Sequence, residues 1–219
     1  MLLKTFAALL LTGATATTLG YLAWYRPTFK KEKHPRTTKY RETGPPGAGE
    51  YKLPLEKLGN VSSQLRPFAG RKGYNTDIAF LVDMGIESGR QRFFVYNMKE
   101  DSIELAGLVT HGYGSSKPGI EFSNVPNSYC TSLGRYKIGA SYNGRFGLAF
   151  KLYGLDKTND KAFERFVVLH AHDCVPAGEV APLPICESQG CPTVAPSFLQ
   201  ELKGYIEHSD KPILLNIYK

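Results

Sequence analysis

Phe166-Val-Val-Leu-His170-Ala-His172-Asp173-Cys174 and, beyond a Pro-rich loop, Ser188-Gln189-Gly190-Cys191-Pro192-Thr193-Val194 are the segments on which the reading of this 219-residue chain turns. An apolar, β-branched run closing on a histidine predicts a strand over 166–170. A loop of about twenty residues then returns to a cysteine beside a glycine, so an imidazole and a thiol can come to lie side by side. Outward from this pair the chain is β-rich. Asp77–Asp83, Arg92–Tyr96 and Ser102–Thr110 are strand-like runs separated by turn formers, which predicts a meander. Further strands are expected at 134–140 and 148–152, with a closing strand over 212–218. Between Cys191 and that last strand, Pro196 suits a first helical position, and Phe198, Leu199, Leu202, Tyr205 and Ile206 recur at helical spacing. Val61–Phe68 fits a short helix or a loop. The expected fold class is mainly β (α+β), a β-sandwich or meander with a few helices, one of them after Cys191.

Composition sets the outer limits. With 42% hydrophobic and 21% charged residues, the chain is neither a coiled coil, nor a collagen-like repeat, nor a disordered tail. The formal charge of +7 raises the question of nucleic acid, and its distribution answers it. Residues 1–50 hold 8 Lys and Arg against 3 Asp and Glu, whereas the other 169 hold 19 against 17. A nucleic-acid-binding fold carries its excess on the folded part, and here the excess precedes it.

The 21 uncharged residues Thr5–Tyr25, as a helix, span roughly 31 Å, enough to cross a bilayer. The same run reads as a signal peptide, with Lys4 as its basic start, Phe6–Leu11 as the apolar core and Ala14-Thr15-Ala16 as the small-residue cleavage site. A buried helix is the third reading. Residues 26–50 form a basic linker that ends in Gly44-Pro45-Pro46-Gly47-Ala48-Gly49, and residues 51–219 form the globular domain. For an uncleaved anchor, positive charge after the span conflicts with the preference of such charge for the cytoplasm.

A thiol beside an imidazole can act as a nucleophile, because the imidazole takes the proton and stabilises the thiolate. Gly190 permits a tight turn before Cys191, and backbone N–H groups around Gly190–Cys191 can face a developing oxyanion. A core thiol with a hydrogen-bonded histidine has the same spacing. Zinc is the other competitor: His170, His172, Cys174, Cys186 and Cys191 offer ligand types, but their spacings match no common structural zinc pattern.

From about Asp77 to the end the chain resembles the murein L,D-transpeptidase catalytic domain, in a branch divergent from the YkuD-type enzymes. The residues that carry the resemblance are Val109-Thr-His111-Gly112-Tyr-Gly114-Ser115, Phe122-Ser-Asn-Val-Pro126-Asn-Ser128, Ser132-Leu-Gly134, Tyr142-Asn-Gly144-Arg-Phe-Gly147, Leu152-Tyr-Gly-Leu155, Val167-Val-Leu-His170 and Ser188-Gln-Gly-Cys191-Pro. The resemblance implies a peptidoglycan-modifying cysteine acyltransferase that works on stem peptides without a metal or other cofactor. Cys191 is then the nucleophile and His170 the base, and the product is a 3,3 crosslink made through a thioester. It equally accommodates a hydrolase on the same scaffold (an L,D-carboxypeptidase or endopeptidase) and a non-catalytic wall-binding protein.

One departure is Gln189, where the broader family motif has a histidine. It can offer an amide to substrate but cannot be a base. Ser188, Gln189, Gly190, His111 and His172 are the expected oxyanion or substrate-binding residues, with Ser115, Ser116 and Asn124 as further candidates for the stem peptide. Cys174 and Cys186 bracket the Pro-rich loop and form a candidate disulfide, while Cys130 is assigned no role. A wall substrate lies outside the inner membrane. The expected location is therefore the cell envelope, periplasmic or otherwise extracytoplasmic, with the protein secreted or tethered to the membrane.

Overall fold

The computed structural model describes residues 54–114 and 119–219. The N-terminal apolar run, the basic linker, Ser115 and Ser116 lie outside the described residues. Eight strands form one mixed sheet: β1 Ile78–Asp83, β2 Phe93–Asn97, β3 Ser102–Gly107, β4 Gly134–Gly144, β5 Gly147–Gly154, β6 Val168–Ala171, β7 Thr193–Val194 and β8 Leu214–Tyr218. Their spatial order is β3-β2-β1-β8-β4-β5-β6-β7. Two antiparallel meanders, β1–β3 and β4–β6, are joined by β8, which pairs parallel with β1 and antiparallel with β4.

The central position of β1 explains its sequence. A strand covered on both faces needs apolar side chains at successive positions, not alternate ones. Phe80 and Val82 enter one core together with Phe93 and Val95, and Ala79 and Leu81 enter the other with Phe94 and Tyr96. Each face carries a helix. Helix α1, Leu55–Lys72, packs Leu58, Leu65 and Ala69 on the second core, while helix α2, Pro196–Glu207, sets Phe198, Leu199 and Leu202 into the first. The first core also receives Tyr136, Ile138, Phe150, Leu152 and Leu169 from the second meander. Both halves of the sheet thus converge on a shared interior, and the sandwich-like layering is built from one continuous sheet.

The mainly β expectation holds, as does the helix after Cys191. Helix α1 is much longer than the stretch expected around Val61–Phe68. It accommodates Pro67, which removes the hydrogen bond to the residue 63 carbonyl, and it stops at Gly73, whose φ of 75° allows the left-handed cap.

Candidate active site

Strand pairing sets the site. Strands β6 and β7 are parallel neighbours with His170 opposite Thr193 and Ala171 opposite Val194, so the intervening loop 172–192 must return Cys191 alongside the start of β6. His170, His172, Cys191 and Thr193 line one cleft of about 450 Å³ together with Thr110, Tyr113, Arg145, Phe146, Cys174, Glu187, Ser188 and Gln189.

Cys191 is half-buried. Its Sγ donates to the Phe166 carbonyl at 3.8 Å. Burial pushes the thiol above its ordinary pKa, while the Val168 backbone N–H and the Arg165 guanidinium favour the charged form. His170 is buried at the end of its strand. Its Nδ1 lies 3.1 Å from the Ala171 carbonyl, which can only accept, so the proton sits on Nδ1 and the lone pair on Nε2. That lone pair faces the Thr193 hydroxyl at 3.0 Å. Burial holds the imidazole below its ordinary pKa. The resting pair is therefore neutral thiol and neutral imidazole. Among the described residues no direct hydrogen bond joins them; the Thr193 hydroxyl that meets Nε2 also lies 3.4 Å from the Cys191 backbone carbonyl.

The turn before the cysteine is held from within. Gly190 has φ 104°, and a Cβ there would lie 2.6 Å from the Cys130 carbonyl oxygen, so both the backbone conformation and the space call for glycine. Ser188 Oγ donates to the Cys191 carbonyl at 2.7 Å and accepts the Gly190 N–H at 3.1 Å. Ser188 lines the cleft, but its hydroxyl is engaged inside the turn. Gly190 N–H is likewise used, which leaves the amide of Cys191 itself for an oxyanion.

His111 contributes through its backbone, since its carbonyl accepts the Ser188 N–H at 2.8 Å. Its ring lies behind the cleft wall. There the fully buried Arg92 donates to His111 Nδ1 at 3.0 Å, and His111 Nε2 faces Glu187 Oε1 at 3.4 Å. Desolvation and the neighbouring guanidinium keep this imidazole neutral. His172 is exposed on the cleft rim, its Nδ1 accepting the Cys174 N–H at 3.1 Å. Gln189 is exposed in the cleft. Asn124 lies elsewhere, bonded to Asp160 and to the Lys157 carbonyl. Asp173 borders an adjoining groove with His172, Phe146 and Gln200.

Cys174 and Cys186 are joined in a disulfide. Neither can then serve as a thiolate ligand, and no three His, Cys, Asp or Glu side chains among the described residues converge as a metal site.

Sequence reasoning passed over four participants. Gly144 pairs with Gly147, so Arg145 and Phe146 form the two-residue tip of the β4–β5 hairpin. Phe146 stacks on His170 at 5.3 Å between centroids and meets His172 edge-on at 5.6 Å. Arg165 donates to the carbonyls of Ser123 (2.8 Å) and Cys130 (2.7 Å) directly behind Gly190. Thr110 Oγ1 accepts the Thr193 N–H at 3.2 Å, tying β7 to the preceding wall. The one available signal was the Gly144-Arg-Phe-Gly147 pattern, a tight hairpin between two strands.

A thiol in the turn that leads into β7 and a buried imidazole on the neighbouring parallel strand β6 line a single cleft, a cysteine–histidine arrangement. The chain belongs to the L,D-transpeptidase catalytic domain family, whose model matches residues 52–214. No curated protein matches it. Among solved structures it is similar to the helical cell shape determining protein Pgp2 from Campylobacter jejuni (13% identity, 74% of this chain and 56% of that one, TM-score 0.44). It is also similar to the Ldtfm–avibactam carbamoyl enzyme (18% identity, 65% and 49%, TM-score 0.39) and to an L,D-transpeptidase from Xylanimonas cellulosilytica (13% identity, 69% and 68%, TM-score 0.40). The chain spans about half the length of the first two.

Proposed function

We propose that this chain is a peptidoglycan-modifying cysteine acyltransferase of the cell envelope, with Cys191 as nucleophile and His170 as general base. The reading is supported above all by the β6–β7 register, which sets the thiol and the unprotonated Nε2 at one cleft in a chain of the L,D-transpeptidase family. A neutral pair suits general-base attack. As sulfur bonds to the carbonyl carbon of a stem-peptide amide, Nε2 takes the S–H proton, and the Nδ1–H···O=C bond to Ala171 steadies the imidazolium. The amide N–H of Cys191 faces the oxyanion. Collapse breaks the C–N bond, His170 protonates the departing amine, and a Cys191 thioester remains. The side-chain amine of a second stem then attacks the thioester, gives its proton to His170, and leaves a 3,3 crosslink with the free thiol restored.

The test is muropeptide analysis of tetrapeptide-containing sacculi after incubation with the protein. New 3,3-linked dimers support the transferase. Tripeptides without dimers would mean that water resolves the thioester, as in a carboxypeptidase, and no change with bound sacculi would leave a wall-binding protein. Cys191→Ala is expected to abolish turnover and His170→Ala to reduce it severely; full activity in either variant would refute these roles. Residues 1–25 serve, on this reading, to export the domain or tether it to the membrane, and N-terminal sequencing of mature protein decides which.

A further inference from the structure

Helix α1 covers only part of its face of the sheet. Among the described residues, the core beneath it takes buried strand residues from β1, β2, β3 and β8, and none from β4 or β5. Arg135 of β4, whose guanidinium carbon lies 4.0 Å from the Phe68 ring centroid, marks the edge of that cover. Farther along, Lys137, Lys151 and Tyr153 occupy the same face, alternating with Tyr136, Ile138 and Leu152, which enter the other core. The exposed face carries a column of cations and rings. Lys137 Nζ lies 4.6 Å from the centroid of the Tyr153 ring, and Tyr153 stacks on Phe163 at 5.1 Å with an interplanar angle of 10°. Lys151 Nζ lies 5.9 Å from the Phe163 centroid and 5.8 Å from that of Tyr142. Neither lysine forms an ion pair with a described carboxylate. The hairpin that bears them, residues 134–154, contains Arg135, Lys137, Arg145 and Lys151 and no Asp or Glu. Phe163 is 52% exposed, and Phe166, whose N–H donates to the Phe163 carbonyl at 3.1 Å, is 83% exposed. Glu164, between them, is the one acid of this turn.

We propose that this face docks on the headgroup layer of a membrane containing anionic lipid, with Lys137 and Lys151 meeting lipid phosphates and Phe163 and Phe166 entering between the headgroups. The charge of the face calls for an anion. Ring faces already turned toward each other and toward ammonium groups are not free to stack on a sugar or a peptide group. What remains outward are ammonium N–H donors and ring edges, the positive rim of the aromatic quadrupole. The exposed rings choose among anions. A soluble polyanion would meet the charge and leave the phenyl groups in water, whereas the interfacial layer of a bilayer takes up ammonium heads at its phosphates and rings just beneath them. Both lysine stems are half-buried against the rings, so their ammonium groups lose little freedom on binding. The Phe163–Phe166 turn ends at the carbonyl that accepts the Cys191 thiol, and docking would therefore hold the cleft beside the bilayer. Docking of this kind is independent of the chemistry assigned to Cys191 and His170.

The test is lysine acetylation of the full-length protein by an N-hydroxysuccinimide ester, read at each lysine by peptide mass spectrometry. Two vesicle preparations are compared, phosphatidylcholine alone and phosphatidylcholine with about one quarter phosphatidylglycerol. Rates at single lysines separate this face from any contact made by residues 1–50. On the anionic vesicles Lys137 and Lys151 should be acetylated roughly fivefold more slowly than on phosphatidylcholine, while Lys203, on α2 across the sheet, keeps its rate within about twofold. In Lys151→Glu the slowing at Lys137 should shrink to within about twofold. Phe163→Ser should lose most of the slowing although every charge remains. Each variant is compared with itself on the two vesicles, and a wild-type urea midpoint shows that it is folded. Equal wild-type rates on the two vesicles, or slowing at Lys203 as large as at Lys137, would overturn the proposal. So would protection by soluble polyphosphate that matches the anionic vesicles and survives in Phe163→Ser, which would make the face a site for a soluble polyanion. Each of these outcomes leaves the roles of Cys191 and His170 as they stand.

Discussion

Removing the Cys174–Cys186 bridge by the double substitution Cys174→Ser, Cys186→Ser separates two roles that a disulfide near a nucleophile can have. The bridge closes a segment of 12 residues in sequence separation. Chain entropy gives about 3 kcal/mol for a loop of this size, acting through the unfolded state. The folded loop has other anchors. The Val180 and Ala181 N–H groups donate to the Gly89 carbonyl at 2.9 and 3.1 Å, Gln91 N–H donates to Glu179 at 2.8 Å, and Ile185 N–H donates to Ser88 Oγ at 3.2 Å. Val175 and Ile185 are buried beneath it. Loss of the bridge is therefore expected to lower stability by about 3 kcal/mol while the folded site stays assembled. With a urea m-value of roughly 2 kcal/mol per molar, the unfolding midpoint should fall by about 1.5 M. Circular dichroism across a urea series measures this, and wild type held in reductant should behave like the double variant. Below the transition, iodoacetamide should label Cys191 at a rate within about twofold of wild type. An unchanged midpoint would refute the entropic estimate. Normal stability lost together with Cys191 reactivity would instead show that the bridge clamps the catalytic turn.

Gly190→Ala should destabilise the domain by about 2–5 kcal/mol, because it combines a positive φ with a Cβ placed against the Cys130 carbonyl; a urea midpoint equal to wild type would contradict the turn geometry. With the Cys191 thiol raised and the His170 imidazole lowered by burial, the rate of Cys191 alkylation should still be climbing at about pH 9, and a plateau extending into acid would reveal a resting ion pair instead. Arg165→Gln should push that profile further alkaline and slow alkylation near pH 8 by up to roughly tenfold, with Arg165→Lys restoring most of the rate; identical profiles would mean that the guanidinium acts only through its bonds to Ser123 and Cys130. His111 and His170 both have folded pKa values below 6.5, so the unfolded chain binds protons that the folded chain refuses. Stability should accordingly fall as pH drops below about 6.5 toward the folded-state values, and urea midpoints constant between pH 7 and pH 5 would rule this out.

Legibility in the sequence followed how local each cause was. The continuous apolar run in β1 was readable because a strand covered on both faces leaves that pattern in one short window. Helix α2 was readable from Pro196 and the spacing of its buried residues. Helix α1 was not, since Gly59, Pro67 and Gly70 argue against helix locally, and only packing of Leu58, Leu65 and Ala69 on the sheet outweighs them. At the site, His170 and Cys191 stood out by residue type at the ends of apolar segments. Ser188 was read as a group facing substrate, whereas its hydroxyl closes the turn, a role set by the Gly190 conformation.

By itself the sequence determined the β-rich class, the thiol and imidazole, the glycine that lets the thiol turn outward, and the concentration of excess charge before residue 50. Each depends on residue type and short-range pattern. Tertiary structure decided what surrounds the pair: Phe146 against His170 from 24 residues earlier, Arg165 behind Gly190, and Arg92 beneath His111. Those neighbours come together only when β5, β6 and β7 lie side by side, because strand pairing joins residues through hydrogen-bond register that no local periodicity encodes. The protonation states follow from the same assembly, since burial that raises a thiol and lowers an imidazole exists only once the cleft has closed around them.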